Sequence, residues 1–277
     1  MIDNSILSMI INTQNHIGDW WDTLFRSVAE KEGFGIFGPS SYVVNIGGTH
    51  LLVDPCLRNP SWGEKIADKI NNDLKKIDGI FLTHEHEDHC DPNFIRLASG
   101  CDVRWYIPKF FRIKRLIEWG IPEERIILTH IGDKISLGET EVSVFESNHR
   151  NSGAAFVREY GFAVTHNGKN YVFPVDVRTY DPSFYPKFEN AEILFAHLWL
   201  GRGVARNGGW RDRLDEFCEF LLSFNPKRIV LAHLYETERS PSDLWTYSHA
   251  GAVADRFLCY NPEISVDPLK PGIWYSL

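Results

Sequence analysis

The chain has 277 residues, 43% of them apolar, with nine tryptophans and a formal net charge of -8. That apolar content supports a sizeable core and excludes a disordered chain. The acidic balance speaks against sequence-independent nucleic-acid binding, which relies on a basic face, so no nucleic-acid partner is expected.

In chain order, residues 1–33 predict a helical extension with Trp20, Trp21, Leu24, Phe25 and Val28 on one face, either packed on the domain or acting as a lid or dimer contact. Residues 34–277 are expected to form one domain. Tyr42–Ile46, the Gly47-Gly48 turn and Leu51–Val53 predict a hairpin ending at Asp54-Pro55. Asp54 is a turn former or a group that orients a ligand histidine. A helix over Trp62–Asn72 precedes a short buried strand, Gly79–Leu82. Asp91-Pro92 then predicts a helix N-cap with proline at N1 and a stop at Gly100. Between strand and cap stands Thr83-His84-Glu85-His86-Glu87-Asp88-His89, the pattern His-x-His-x-Asp-His. Neutral imidazoles and a carboxylate converging on one loop suit zinc, iron or manganese.

Val103–Ile107 predicts a strand, Lys109–Trp119 a helix and Arg125–His130 another strand, so the order to this point alternates as in a layered α/β domain. From Ile135 the texture is strand after strand: Glu141–Phe145, Ala155–Arg158, Gly161–Val164 and Tyr171–Phe173, with Asn167-Gly168 as a hairpin turn. Glu192–Ala196 predicts a strand, Leu214–Leu222 an amphipathic helix, Arg228–Ala232 a buried strand, Pro241–Phe257 a helix and Ile273–Tyr275 a last strand. No linker or repeat interrupts this run.

His149, Asp176 and His233 each sit just past a predicted strand, as the histidine cluster does. Strand ends on one sheet edge gather in space, so ligands far apart in sequence can meet there. Seven donors result: His84, His86, Asp88, His89, His149, Asp176 and His233. They are too many for one tetrahedral zinc and about right for two ions sharing a carboxylate. No Gly-x-Ser-x-Gly nucleophile motif is present.

This order of motifs resembles the metallo-β-lactamase fold superfamily over about Ser40 to His233, and the Tyr42–Pro55 opening is most similar in texture to its ascorbate-6-phosphate lactonase-like branch. The resemblance implies an α/β fold, a four-layer αββα sandwich. It implies His84, His86 and His149 on one ion, Asp88, His89 and His233 on the second, and Asp176 bridging them. Two divalent ions are expected, zinc before manganese or iron, with Asp88 and His233 as catalytic residues and Asp54 behind the ligands. The expected activity is a metal-dependent hydrolase that turns a metal-activated water on a small anionic ester, lactone or phosphodiester. The alternatives are an iron-dependent oxidoreductase on the same fold, an RNA- or DNA-cleaving phosphodiesterase and a non-catalytic binding module. Arg150, His197 and Arg202 are candidates to hold the small-molecule substrate, an arginine there suiting a phosphate or carboxylate; their bland reading is solvated charge and a satisfied histidine.

No apolar run approaches the ~20 residues of a bilayer span, and the N-terminus carries no basic segment. The five cysteines are scattered and form no Cys-x-x-Cys, which fits free thiols in a reducing cytosol. A cytoplasmic protein without a membrane span is expected, with homo-oligomerisation left open.

Overall fold

A computed structural model of the chain describes residues 4–57, 60–149, 157–236 and 239–277, with side chains from residue 16 onward except Pro60. The elements run α1 (Asn4–Glu30), β1 (Gly33–Ile36), β2 (Tyr42–Ile46), β3 (Thr49–Val53), α2 (Pro60–Glu64), α3 (Ala67–Leu74), β4 (Gly79–Phe81), α4 (Pro92–Ala98), β5 (Trp105–Pro108), α5 (Ile113–Glu118), β6 (Ile126–Thr129), β7 (Lys134–Leu137) and β8 (Thr140–Ser147). They continue with β9 (Glu159–His166), β10 (Lys169–Val175), β11 (Ala191–His197), α6 (Leu214–Leu222), β12 (Pro226–Ala232), α7 (Tyr247–Tyr260), β13 (Ser265–Pro268) and β14 (Trp274–Tyr275). The chain divides into two compact units, one built from Ser8–Glu141 and Lys270–Leu277, the other chiefly from Val142–Leu269. The boundary falls inside β8, so no linker composition marks it, and the sequence reads there as continuous.

The first unit carries the sheet β14-β1-β2-β3-β4-β5-β6. β2 and β3 pair antiparallel from Tyr42↔Val53 to Ile46↔Thr49, the hairpin that Gly47-Gly48 predicts. β3, β4, β5 and β6 are parallel, so their C-terminal ends lie on one edge. Val43, Leu52, Ile80, Trp105 and Ile107 from these strands share a core with Trp21, Leu24, Phe25 and Val28 of α1, Ile70 and Leu74 of α3, and Phe94 and Ile95 of α4. The apolar face of the N-terminal helix is thus core. The approach of α1 to β1 needs a glycine: a Cβ on Gly35 would lie 2.3 Å from Leu24 Cδ2 and 2.7 Å from the Ile273 carbonyl oxygen. Trp21 Nε1 donates to Asp73 Oδ2 at 2.7 Å and ties α1 to α3.

The second sheet has the order β13-β12-β11-β10-β9-β8-β7. β9 and β10 are antiparallel, whereas β10, β11, β12 and β13 are mutually parallel. Ala163, Val172, Leu194, Ile229 and Leu231 pack with Phe217 and Leu221 of α6 and Val253 and Phe257 of α7. Phe162, Phe173 and Phe195 stack across neighbouring strands, with ring centroids 4.6 and 4.0 Å apart.

Boundaries differ from the sequence pattern where the backbone has other partners. The helix predicted over Trp62–Asn72 is two helices, because Lys65 and Ile66 N–H donate three residues back, to Trp62 and Gly63. The one predicted from Lys109 starts at Ile113, because Lys109 N–H still donates to Thr129 O beside β6. α7 starts at Tyr247 rather than Pro241: Thr246 N–H donates to His249 Nδ1 at 3.1 Å, a histidine serving where a capping box usually has Glu or Gln. Part of the strand predicted at Ala155–Arg158 lies outside the described residues, and β9 begins at Glu159.

Candidate metal centre

The first unit brings four predicted donors together on the loop between β4 and α4. β4 ends at Phe81, and the loop is closed by His89 and Cys90 N–H donating to His86 O at 2.9 and 2.7 Å. Asp91 caps α4 by accepting from Asn93 N at 2.9 Å, and its other oxygen accepts from Leu57 N at 2.7 Å. Asp54, at the end of β3 and fully buried, orients the histidines: it accepts from Thr83 N (2.9 Å), Thr83 Oγ1 (2.6 Å) and His89 Nδ1 (2.7 Å). Thr83 Oγ1, having donated to Asp54, is the acceptor for His84 Nδ1 at 3.1 Å. Both rings therefore carry their proton on Nδ1 and their lone pair on Nε2, the arrangement an outer carboxylate imposes on a ligand histidine. Asp54 holds the His89 ring directly and the His84 ring through Thr83.

The donor atoms then fall in two pairs. His84 Nε2 lies 3.0 Å from His86 Nδ1, and His89 Nε2 lies 3.7 Å from Asp88 Oδ2. Two nitrogens on one tetrahedral ion are separated by roughly 3.3 Å, so the first pair fits a shared cation. Glu85 turns away, its carboxylate taken by Arg112 at 3.0 Å. Cys90 is a buried part of the core, and burial first, then the Asp54 carboxylate, pushes its thiol far above the usual range, so it stays protonated.

In the second unit His149, Asp176, His197 and His233 all stand at or just past strand ends of one sheet, and all are buried. His149 Nδ1 donates to Glu159 Oε2 at 3.2 Å, and Glu159 also accepts from Asp176 N, a second histidine–carboxylate pair. Asp176 Oδ1 is 2.8 Å from His197 Nδ1 and 3.5 Å from His233 Nε2; Asp176 Oδ2 accepts from Arg178 Nη2. His233 Nε2 is 3.6 Å from Glu236 Oε2, which also takes a bond from Arg239. Asp54 (φ 43), Val175 (φ 65) and His233 (φ 65), all at strand ends, bear left-handed backbone without glycine. For β-branched Val175 this is a true outlier, and it aims Asp176 out of β10, where the pairing with β11 breaks register after Val172.

Of the substrate-binding candidates, His197 is buried against Asp176, Arg202 is exposed, and Arg150 lies outside the described residues. Sequence reasoning missed Thr83, Glu159, Arg178 and Glu236. Their sole local signals are Thr83 and Arg178 flanking predicted ligands; Glu159 reaches His149 only through the fold.

A family model described as the beta-lactamase superfamily domain matches residues 49–234. A UPF0173 metal-dependent hydrolase of Pyrobaculum arsenaticum is 32% identical over 104 residues, 37% of this chain and 44% of that protein. The chain thus spans less than half the length of this relative. A probable L-ascorbate-6-phosphate lactonase of Escherichia coli is 31% identical over 80 residues, covering 28% of this chain and 22% of that one. Among solved structures, Igni18, a metallo hydrolase of Ignicoccus hospitalis, aligns at a TM-score of 0.61 with 16% identity, over 87% of this chain and 96% of its own. With an α/β fold of the metallo-β-lactamase type and a family match over the segment that carries the donors, this chain belongs to the β-lactamase superfamily.

Proposed function

We propose that the protein is a metal-dependent hydrolase that holds two divalent ions, zinc before manganese or iron, and acts on a small anionic ester, lactone or phosphodiester. The observation that carries this reading is the paired donors on the β4–α4 loop, His84 with His86 and Asp88 with His89, with the lone pairs of His89 and His84 set by Asp54 and Thr83. In this reading His149 completes the first pair, His233 the second, and Asp176 serves both; the His149–Glu159 bond supports it, because it orients a ligand as Asp54 does. When bound, such ions supply Lewis acidity and a water of lowered pKa. Asp88 would orient the attacking water as a hydrogen-bond acceptor, and His233 would share the catalytic assignment as a holder of the second ion. An anionic lactone is the favoured substrate class, because the lactonase of Escherichia coli is among the relatives. A net charge of -8 disfavours nucleic acid as substrate.

Metal content of the purified protein by mass spectrometry, with turnover on a panel of lactones and phosphodiesters, tests the reading. His86→Ala is expected to lose one ion and all turnover. Retained turnover in His86→Ala refutes it, and an iron-only preparation that consumes oxygen replaces it with the oxidoreductase reading.

A further inference from the structure

Asp176, the carboxylate read as the bridge, has both oxygens engaged within its own unit. Oδ1 faces His197 and His233, at 2.8 and 3.5 Å, whereas Oδ2 is held by Arg178 and lies 3.9 Å from His149 Nδ1. The Arg178 side chain is only 2% exposed. Its guanidinium lies 3.8 Å over the Trp199 ring, and its backbone N–H donates to Asn148 O at 3.0 Å, beside His149. The guanidinium is thus held between a carboxylate and an aromatic face in a buried setting, and an arginine keeps its charge.

We infer that Arg178 is a positioning residue that limits Asp176 to one metal-facing oxygen, Oδ1, and thereby weakens the grip of the site on its ions. Two effects share this sign. The ion pair stabilises the carboxylate's negative charge, making it less basic and so a poorer ligand. A fixed positive charge beside that carboxylate also repels a dication in a buried, weakly screened setting. The inference rests on the proposed metal reading and adds to it a residue that tunes metal release rather than binding metal.

The test is zinc affinity, measured on the full-length protein by competition with a chelator and read out as bound metal, with thermal unfolding before and after zinc as a second readout. Arg178→Gln is expected to bind zinc at least tenfold more tightly than the native protein and to gain more in Tm on zinc addition, because its metal-free form leaves Asp176 buried without its cation. Arg178→Lys, which keeps the charge, is expected within about threefold of the native affinity. Arg178→Met fills the same place beside Trp199 and carries the test if the glutamine variant does not fold. Unchanged or weaker zinc binding in the neutral variants overturns the inference while leaving the metal reading intact. A native protein that binds no zinc, manganese or iron overturns both.

Discussion

Asp54→Asn is the sharpest probe of how the first unit sets its histidine rings. The change is nearly isosteric, and asparagine tolerates the left-handed backbone at φ 43 as aspartate does, so the hydrogen bonding is what alters. Three donors converge on Asp54: Thr83 N on Oδ1, and Thr83 Oγ1 and His89 Nδ1 on Oδ2. An amide cannot accept from all three. With its NH2 at the Oδ2 position it loses two charge-assisted bonds, about 3–6 kcal/mol. With its NH2 at the Oδ1 position it leaves one buried backbone N–H unsatisfied, about 1–3 kcal/mol. The second arrangement wins, and denaturant unfolding is expected to show a loss of about 1–3 kcal/mol, a sizeable share of a typical 5–15 kcal/mol. The His89 ring then faces a neutral acceptor and becomes a weaker ligand, so zinc affinity is expected to fall roughly 10- to 100-fold. Stability within about 0.5 kcal/mol of the native protein, together with native zinc affinity, would refute the reasoning.

Two further outcomes concern the second unit. Phe173→Ala removes the middle ring of the stack with Phe162 and Phe195 and is expected to destabilise by about 3–5 kcal/mol, since the ring is buried; a loss below about 1 kcal/mol in denaturant unfolding would show that the stack is not cooperative. His249 is held below its ordinary 6.5 chiefly by burial, although its bond to Ala205 O pushes the other way. Because the folded value is the lower one, the unfolded chain binds the proton first, so stability present above pH 6.5 is lost as the pH falls toward the folded value. His249→Gln, which keeps an acceptor for Thr246 N–H, is expected to flatten that decline in a Tm-against-pH series; an unchanged slope would assign it to other groups.

The sequence by itself determined what is local. His-x-His-x-Asp-His fixes four donors on one loop because a strand, a turn and a proline-started helix follow one another within a few residues, and each leaves a direct mark in residue type. The Gly47-Gly48 hairpin and the 214–222 helix are legible for the same reason, period and turn chemistry being short-range. The tertiary structure decided what depends on partners distant in sequence. The apolar stripe of the N-terminal helix is compatible with a lid or with core, and only packing against Val43, Leu52 and Phe94 makes it core. Asp54 as turn former or as ligand-orienting group, Glu159 behind His149 and Arg178 on Asp176 are all pairings of buried charge. Such pairings arise because a group taken out of water must find an opposite charge or a hydrogen bond wherever the fold supplies one, and no periodicity in the chain encodes which partner that will be.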